Sequence, residues 1–208
     1  MKKLLFVLVS FVTLNAAAQT TVPFDAHAWK APYTLQMYGW GIERFLIPIE
    51  FAPGIAYKGV EDIRFTPGWA DVKSPDYWAY AFLWYLDGSP GITSDTIEKN
   101  LEQYYDGLIG RNIEKRKIPQ NLVTKTVAKF AAVKPEQDDL KTFTGTITML
   151  DYMAQKPMVL NAKVHVRKCP GADNTIVFHQ LSPKPVNAPV WVRLNGLWNN
   201  FKCEPINR

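Results

Sequence analysis

Histidine and cysteine are scarce in this chain: three His and two Cys among 208 residues. Cys169 and Cys203 stand too far apart for a CxxC redox pair. No His or carboxylate sits near His165 and His179 at a spacing that completes a zinc ligand set. The chain also contains no GxSxG elbow, no glycine-rich phosphate loop, no HExxH and no EF-hand loop, which removes the hydrolase, nucleotide and metal classes those motifs mark. No cofactor is indicated. Charge excess is small. The formal net charge is +5, and it falls to +3 for a chain starting at Gln19, because Lys2 and Lys3 are lost. A value that low, spread along the chain, is not the basic footprint of a nucleic-acid binder. No segment after the first twenty residues is apolar and long enough to span a bilayer.

What is present in quantity is apolar and aromatic surface: 47% hydrophobic and 13% aromatic residues, seven of them Trp. A substantial core follows from such a composition. The amino terminus reads as a secretory signal peptide over residues 1–18: Lys2 and Lys3, a largely apolar run over Leu4–Leu14, then Ala16 and Ala18 at the small-x-small cleavage pattern. Residues 19–208 are then expected as one α+β domain, with two halves, 37–117 and 118–208, as the alternative division. Export to a periplasmic or extracellular compartment follows, and in an oxidising compartment Cys169 and Cys203 are expected to form a disulfide.

Strict alternation over residues 44–51 predicts a strand with Phe45, Ile47, Ile49 and Phe51 on one face. A second strand is expected over 60–66. Residues 74–88, SPDYWAYAFLWYLDG, are read as a strand over 77–86 with two unequal faces. Trp78, Tyr80, Phe82, Trp84 and Leu86 form the large one, while Ala79 and Ala81 on the other leave room for a helix. Residues 93–117 carry Ile97, Leu101, Tyr104, Tyr105, Leu108, Ile109 and Ile113 on a helical stripe, with Asp95 as the expected cap and Gly107 and Gly110 as places of close packing. Four strands come next, over 123–133, 141–153, 158–168 and 175–181, then a helix over about 190–201 capped by Asn187. The expected architecture is an antiparallel sheet of six to seven strands with two amphipathic helices packed on one face. The helix after the aromatic strand is expected on the alanine-bearing side. Lys163, His165 and Arg167 read as a solvated stripe, and His165 and His179 as solvated strand histidines.

Chemistry is expected on the early strands. Arg44, Glu50, Asp62 and Arg64 alternate with the apolar residues there. If the large face of the aromatic strand points the same way, Trp78, Tyr80 and Trp84 join them as a binding surface for a small molecule, a glycan or an envelope protein. The reading is a non-catalytic exported binding domain. Two alternatives stand beside it: an envelope hydrolase using Glu50, Glu61 and Asp62, and a purely structural or assembly protein.

Overall fold

A computed structural model describes residues 24–136 and 138–205; the expected signal peptide lies outside them. The elements in chain order are β1 (Tyr33–Thr34), β2 (Gly41–Ile47), β3 (Gly59–Phe65), β4 (Tyr80–Leu86), α1 (Ser94–Gly110), α2 (Ile113–Arg116), β5 (Val127–Val133), β6 (Lys141–Asp151), β7 (Lys156–Lys168), β8 (Thr175–Ser182), α3 (Pro189–Asn199) and β9 (Lys202–Cys203). Seven strands form one antiparallel sheet in the order β2-β3-β4-β8-β7-β6-β5, and β1 pairs with β9 beside it. The class is therefore α+β, dominated by antiparallel sheet. Residues of both sequence halves share that sheet, joined where β4 pairs with β8.

The aromatic segment is a strand from Tyr80 onward and lies inside the sheet, between β3 and β8. Its two faces are covered by different helices, which corrects the expectation of both on one face. Tyr80, Phe82, Trp84 and Leu86, here called the ring face, share a core with Ile97, Leu101, Tyr104 and Tyr105 of α1. Ala81 and Leu83, on the small face, share theirs with Val190, Trp191, Leu194, Leu197 and Trp198 of α3. The physical reason is volume. Two small or medium side chains leave space that the indoles of α3 fill, and Trp198 stacks on Phe178 of β8 at 4.7 Å. Trp191 donates its indole N–H to the Lys184 carbonyl at 2.9 Å.

Coverage by α3 also overturns the solvated reading of β7. His165 and Arg167 lie under that helix and are buried. Both donate to Asp139, His165 through Nδ1 at 2.6 Å and Arg167 through Nε at 2.8 Å. Thr142 and the Trp198 indole donate to the same carboxylate at 2.7 and 3.1 Å. Farther along β6 the small face stays wet, with Thr144, Thr146 and Thr148 exposed.

The helix ends differ from the expected caps. Thr93 caps α1, exchanging hydrogen bonds with Thr96, and Asp95 falls in the first turn. The α3 cap is Ala188, with Pro189 pre-set for the first turn, and no side chain serves there. Gly107 is a point of close approach: a β-carbon there would sit 1.8 Å from the Phe51 carbonyl oxygen, whereas Gly110 faces open space. Cys169 and Cys203 form the expected disulfide, Cα atoms 5.5 Å apart. It closes a loop with a sequence separation of 34, a length for which chain entropy contributes about 3–4 kcal/mol. It also fastens β9, and through it β1, to the end of β7.

Helix α1 runs along β5, one edge of the sheet, and closes it with carboxylates. The outward amide of Thr126 donates to Asp106 at 2.8 Å, Ala128 to Glu102 at 3.1 Å and Phe130 to Glu98 at 2.7 Å. Acids four apart on a helix are spaced about 6 Å, and alternate amides on a strand about 6.6–6.8 Å. The two ladders therefore match over three rungs, running in opposite directions. This satisfies donors that an edge strand otherwise offers to another chain. Replacing Glu98 and Glu102 by Ala should cut hydrogen-exchange protection of the Phe130 and Ala128 amides at least tenfold and leave Thr126 protected; equal protection in all three would refute the ladder.

Candidate functional site

The register of β2, β3 and β4 decides which candidate residues meet. Arg64 stands opposite Ala81 and Asp62 opposite Leu83, whereas Phe65 faces Tyr80 and Glu61 faces Trp84. Hence Arg44, Asp62 and Arg64 lie on the small face and Tyr80 and Trp84 on the ring face. The single surface expected to join all of them does not form, because adjacent residues in a strand point to opposite sides.

The small-face group is a buried ion network. Asp62 accepts from Arg44 Nε at 2.9 Å, Tyr33 Oη at 3.1 Å and Arg64 Nη2 at 3.0 Å. Arg64 also donates to the carbonyls of Leu35 and Ile63, at 3.0 and 2.8 Å. The network fastens residues 33–35 across the sheet, and Asp62 is fully buried. Trp84 is buried as well and donates its indole N–H to Glu61 Oε2 at 2.9 Å. Glu61 and Asp62, adjacent in β3, are sealed on opposite faces, and Glu50 is exposed on the turn after β2. The three carboxylates proposed for hydrolysis therefore do not converge. His165 and His179 also face opposite sides, since β7 and β8 pair Val164 with His179 and His165 with Phe178. Among the described residues, no three of His, Cys, Asp and Glu stand together as a metal-ligating group.

A cleft does open on the ring face, between α1 and residues of β2, β3 and β4. Its volume is about 90 Å³. Phe45 comes from β2, Phe65 from β3, Trp69 from the loop beyond it, and Trp78 and Tyr80 from the entry to β4. Tyr104 and Leu108 of α1, Phe51 and Tyr152 complete the wall. Phe65 stacks on Trp69 at 4.3 Å, and Tyr152 meets the Trp78 ring edge-on at 5.2 Å. Phe45, Phe51, Phe65 and Trp69 are only half-buried, so rings reach solvent at the mouth. Two charges border them, Glu43 and Arg111, both exposed. Neither belongs to an ion pair among the described residues; the Arg111 guanidinium lies over Phe51 at 5.2 Å.

Trp78 sits in the left-handed region at φ 57°, a costly conformation for a bulky side chain. Its amide donates to the Trp69 carbonyl at 2.8 Å and its indole to Asp151 at 3.0 Å. Asp151 also accepts from Tyr77 Oη at 2.8 Å and from the Met153 and Ala154 amides at 2.9 Å. A fully buried carboxylate thus holds the cleft floor. Of the residues singled out in the sequence, Trp78 and Tyr80 line the cleft. Glu50 lies on the flank of the mouth, where a shallower hollow shares Glu43, Phe45, Phe51 and Arg111 with it. Sequence reasoning does not single out Glu43, Phe45, Phe51, Phe65, Trp69 or Arg111 as binding residues. The one signal for them is that the β2 and β3 aromatics share their side with Glu43 and Glu61 rather than with the arginines.

Two buried groups on the ring face set a pH window. Burial raises Glu61 to about 8, against the opposing pull of hydrogen bonds from Tyr104 and Trp84. It is therefore protonated in the fold at neutral pH, while the unfolded chain ionises it above about 4.5. Stability from this group is complete below the unfolded value and is lost as pH rises toward 8. His179 stacks on Phe82 at 4.2 Å, and neither ring nitrogen has a hydrogen-bond partner. Burial lowers it from 6.5 to about 3. Its contribution is complete above 6.5 and is lost as pH falls toward 3. The melting temperature should accordingly be highest between about pH 4.5 and 6.5. Glu61→Gln should flatten the alkaline decline without touching the acid one, as read by calorimetry across pH; an alkaline slope unchanged in that variant would contradict the buried neutral acid. Comparison with known proteins finds no matching family model, no matching curated protein and no matching solved structure.

Proposed function

We propose that this protein is an exported, non-catalytic binding domain that takes a ring-bearing ligand into the aromatic cleft. The observation that carries the reading is the pairing of half-buried rings with two unpaired charges of opposite sign at one mouth. Rings offer stacking and edge contacts to another ring. Glu43 and Arg111 offer a polar handle at either side. A volume of about 90 Å³ admits the edge of one ring and leaves the rest of the ligand outside, so the chemistry recognised is a single aromatic group with polar atoms next to it. Support for export comes from the signal-like start and from the disulfide between Cys169 and Cys203. Among the described residues no helix is long and apolar enough to cross a membrane.

Titration with N-acetylphenylalanine amide, followed by indole and aromatic NMR shifts, tests this. The shifts should concentrate on Trp69, Phe65 and Tyr152. Trp69→Ala should weaken binding about tenfold, the worth of one lost ring contact at roughly 1.4 kcal/mol, with the melting temperature nearly kept because Trp69 is half-exposed. Equal affinity for N-acetylalanine amide would refute ring capture.

A further inference from the structure

The two edges of the sheet are treated differently. The β5 edge is closed by the carboxylate ladder of α1. The opposite edge, β2, has no such cover. Among the described residues no backbone hydrogen bond reaches its outer side. It is seven residues long, contains neither Pro nor Lys, and exposes Ile42 and Leu46, at 59% and 50%. An edge strand with unpaired alternate amides and carbonyls and two exposed apolar side chains is a template for one more strand.

The cleft opens along this same edge, since Glu43 and Phe45 of β2 form part of its lining. A strand laid beside β2 places its side chains about 5 Å from theirs. A residue opposite Phe45 then lies at the cleft mouth, and one opposite Glu43, two positions along on the same face, meets an unpaired carboxylate. Charge complementarity at that position calls for Lys or Arg.

We infer that β2 accepts an extended segment of a partner polypeptide, carrying an aromatic residue and a basic residue two positions apart. Main-chain bonds to the edge supply affinity, and the cleft and Glu43 read the two side chains. The inference rests on the cleft being a binding site and adds the kind of ligand that reaches it.

The test uses acetylated, amidated pentapeptide TFTKT and N-acetylphenylalanine amide. The pentapeptide should bind at least tenfold tighter. An added antiparallel or parallel strand bonds through alternate residues only. Of two complementary N-methylated pentapeptides, methylated at residues 2 and 4 or at 1, 3 and 5, one should lose the gain and the other keep it. Exchanging Lys for Glu should weaken binding several-fold, and Glu43→Gln should abolish that preference. If the amide binds and the pentapeptide binds no tighter, strand addition is overturned and the cleft reading stands. If neither binds, both fall. Loss with both methylation patterns, or with neither, contradicts strand addition. A dimer that Leu46→Lys dissociates and the peptide does not displace would assign the edge to a second copy of the chain and overturn the proposal.

Discussion

Burial of β4 on both faces, with rings on one side and small or medium side chains on the other, is the constraint on which the fold turns. Six of its seven residues are buried. Rings on one side need a helix with its own large apolar stripe, and α1 supplies Leu101, Tyr104 and Tyr105. The smaller side needs bulk brought to it, and α3 supplies Trp191 and Trp198. Each helix reaches its face by a different route. The connection from β4 must travel to the far edge before the meander β5–β8 returns, so α1 crosses the ring face on the way. The chain leaving β8 is already at the centre of the sheet, so α3 folds back directly onto it, and the disulfide anchors β9 just beyond.

That arrangement buries charge, and four of the buried carboxylates are each answered in a different way. Asp62 has two arginines and a phenol. Asp139 has a histidine, an arginine, a threonine and an indole; burial alone would raise its pKa, yet the hydrogen bonds from His165 and Thr142 outweigh it and hold it below the usual carboxylate range. Asp151 receives a phenol, an indole and two amides. Glu61 has two neutral donors and no cation, and there the proton stays on. Glu43 and Arg111 at the cleft stand apart from all four: they are exposed, opposite in sign and committed to no partner in an ion pair among the described residues.

Much of the secondary structure is legible from local pattern. Alternation locates β3 and β6 and part of β2, which runs Gly41–Ile47 rather than over 44–51. The 3.6-residue stripe locates α1, and aromatic enrichment correctly favours a strand within 77–86, of which Tyr80–Leu86 forms one. The cysteine pairing comes from count. What local pattern cannot supply is register. Shifting β3 against β4 by one residue would place Arg64 beside Tyr80, the arrangement expected; the observed pairing places it beside Ala81 and splits the candidate surface in two. Coverage is equally hidden. Lys163, His165 and Arg167 alternate as a wet stripe would, and only the landing of α3 buries two of them. The cap of α1 escapes local pattern because Thr93–Thr96 satisfies the box that Asp95–Glu98 also resembles. Phe45, Phe65 and Trp69 read as core or as turn, since an open cleft and a closed core use the same rings.

Hydrogen exchange of the seven tryptophan indole N–H groups tests the two-sided burial of β4 most directly. Trp78 and Trp84 on the ring side, and Trp191 and Trp198 on the small side, donate to Asp151, Glu61, the Lys184 carbonyl and Asp139. Those four signals should exchange slowly, and those of the half-buried Trp29 and Trp69 fast. Rapid exchange at either Trp84 or Trp198, at the rate of Trp69, would show one face of the strand uncovered and contradict the account.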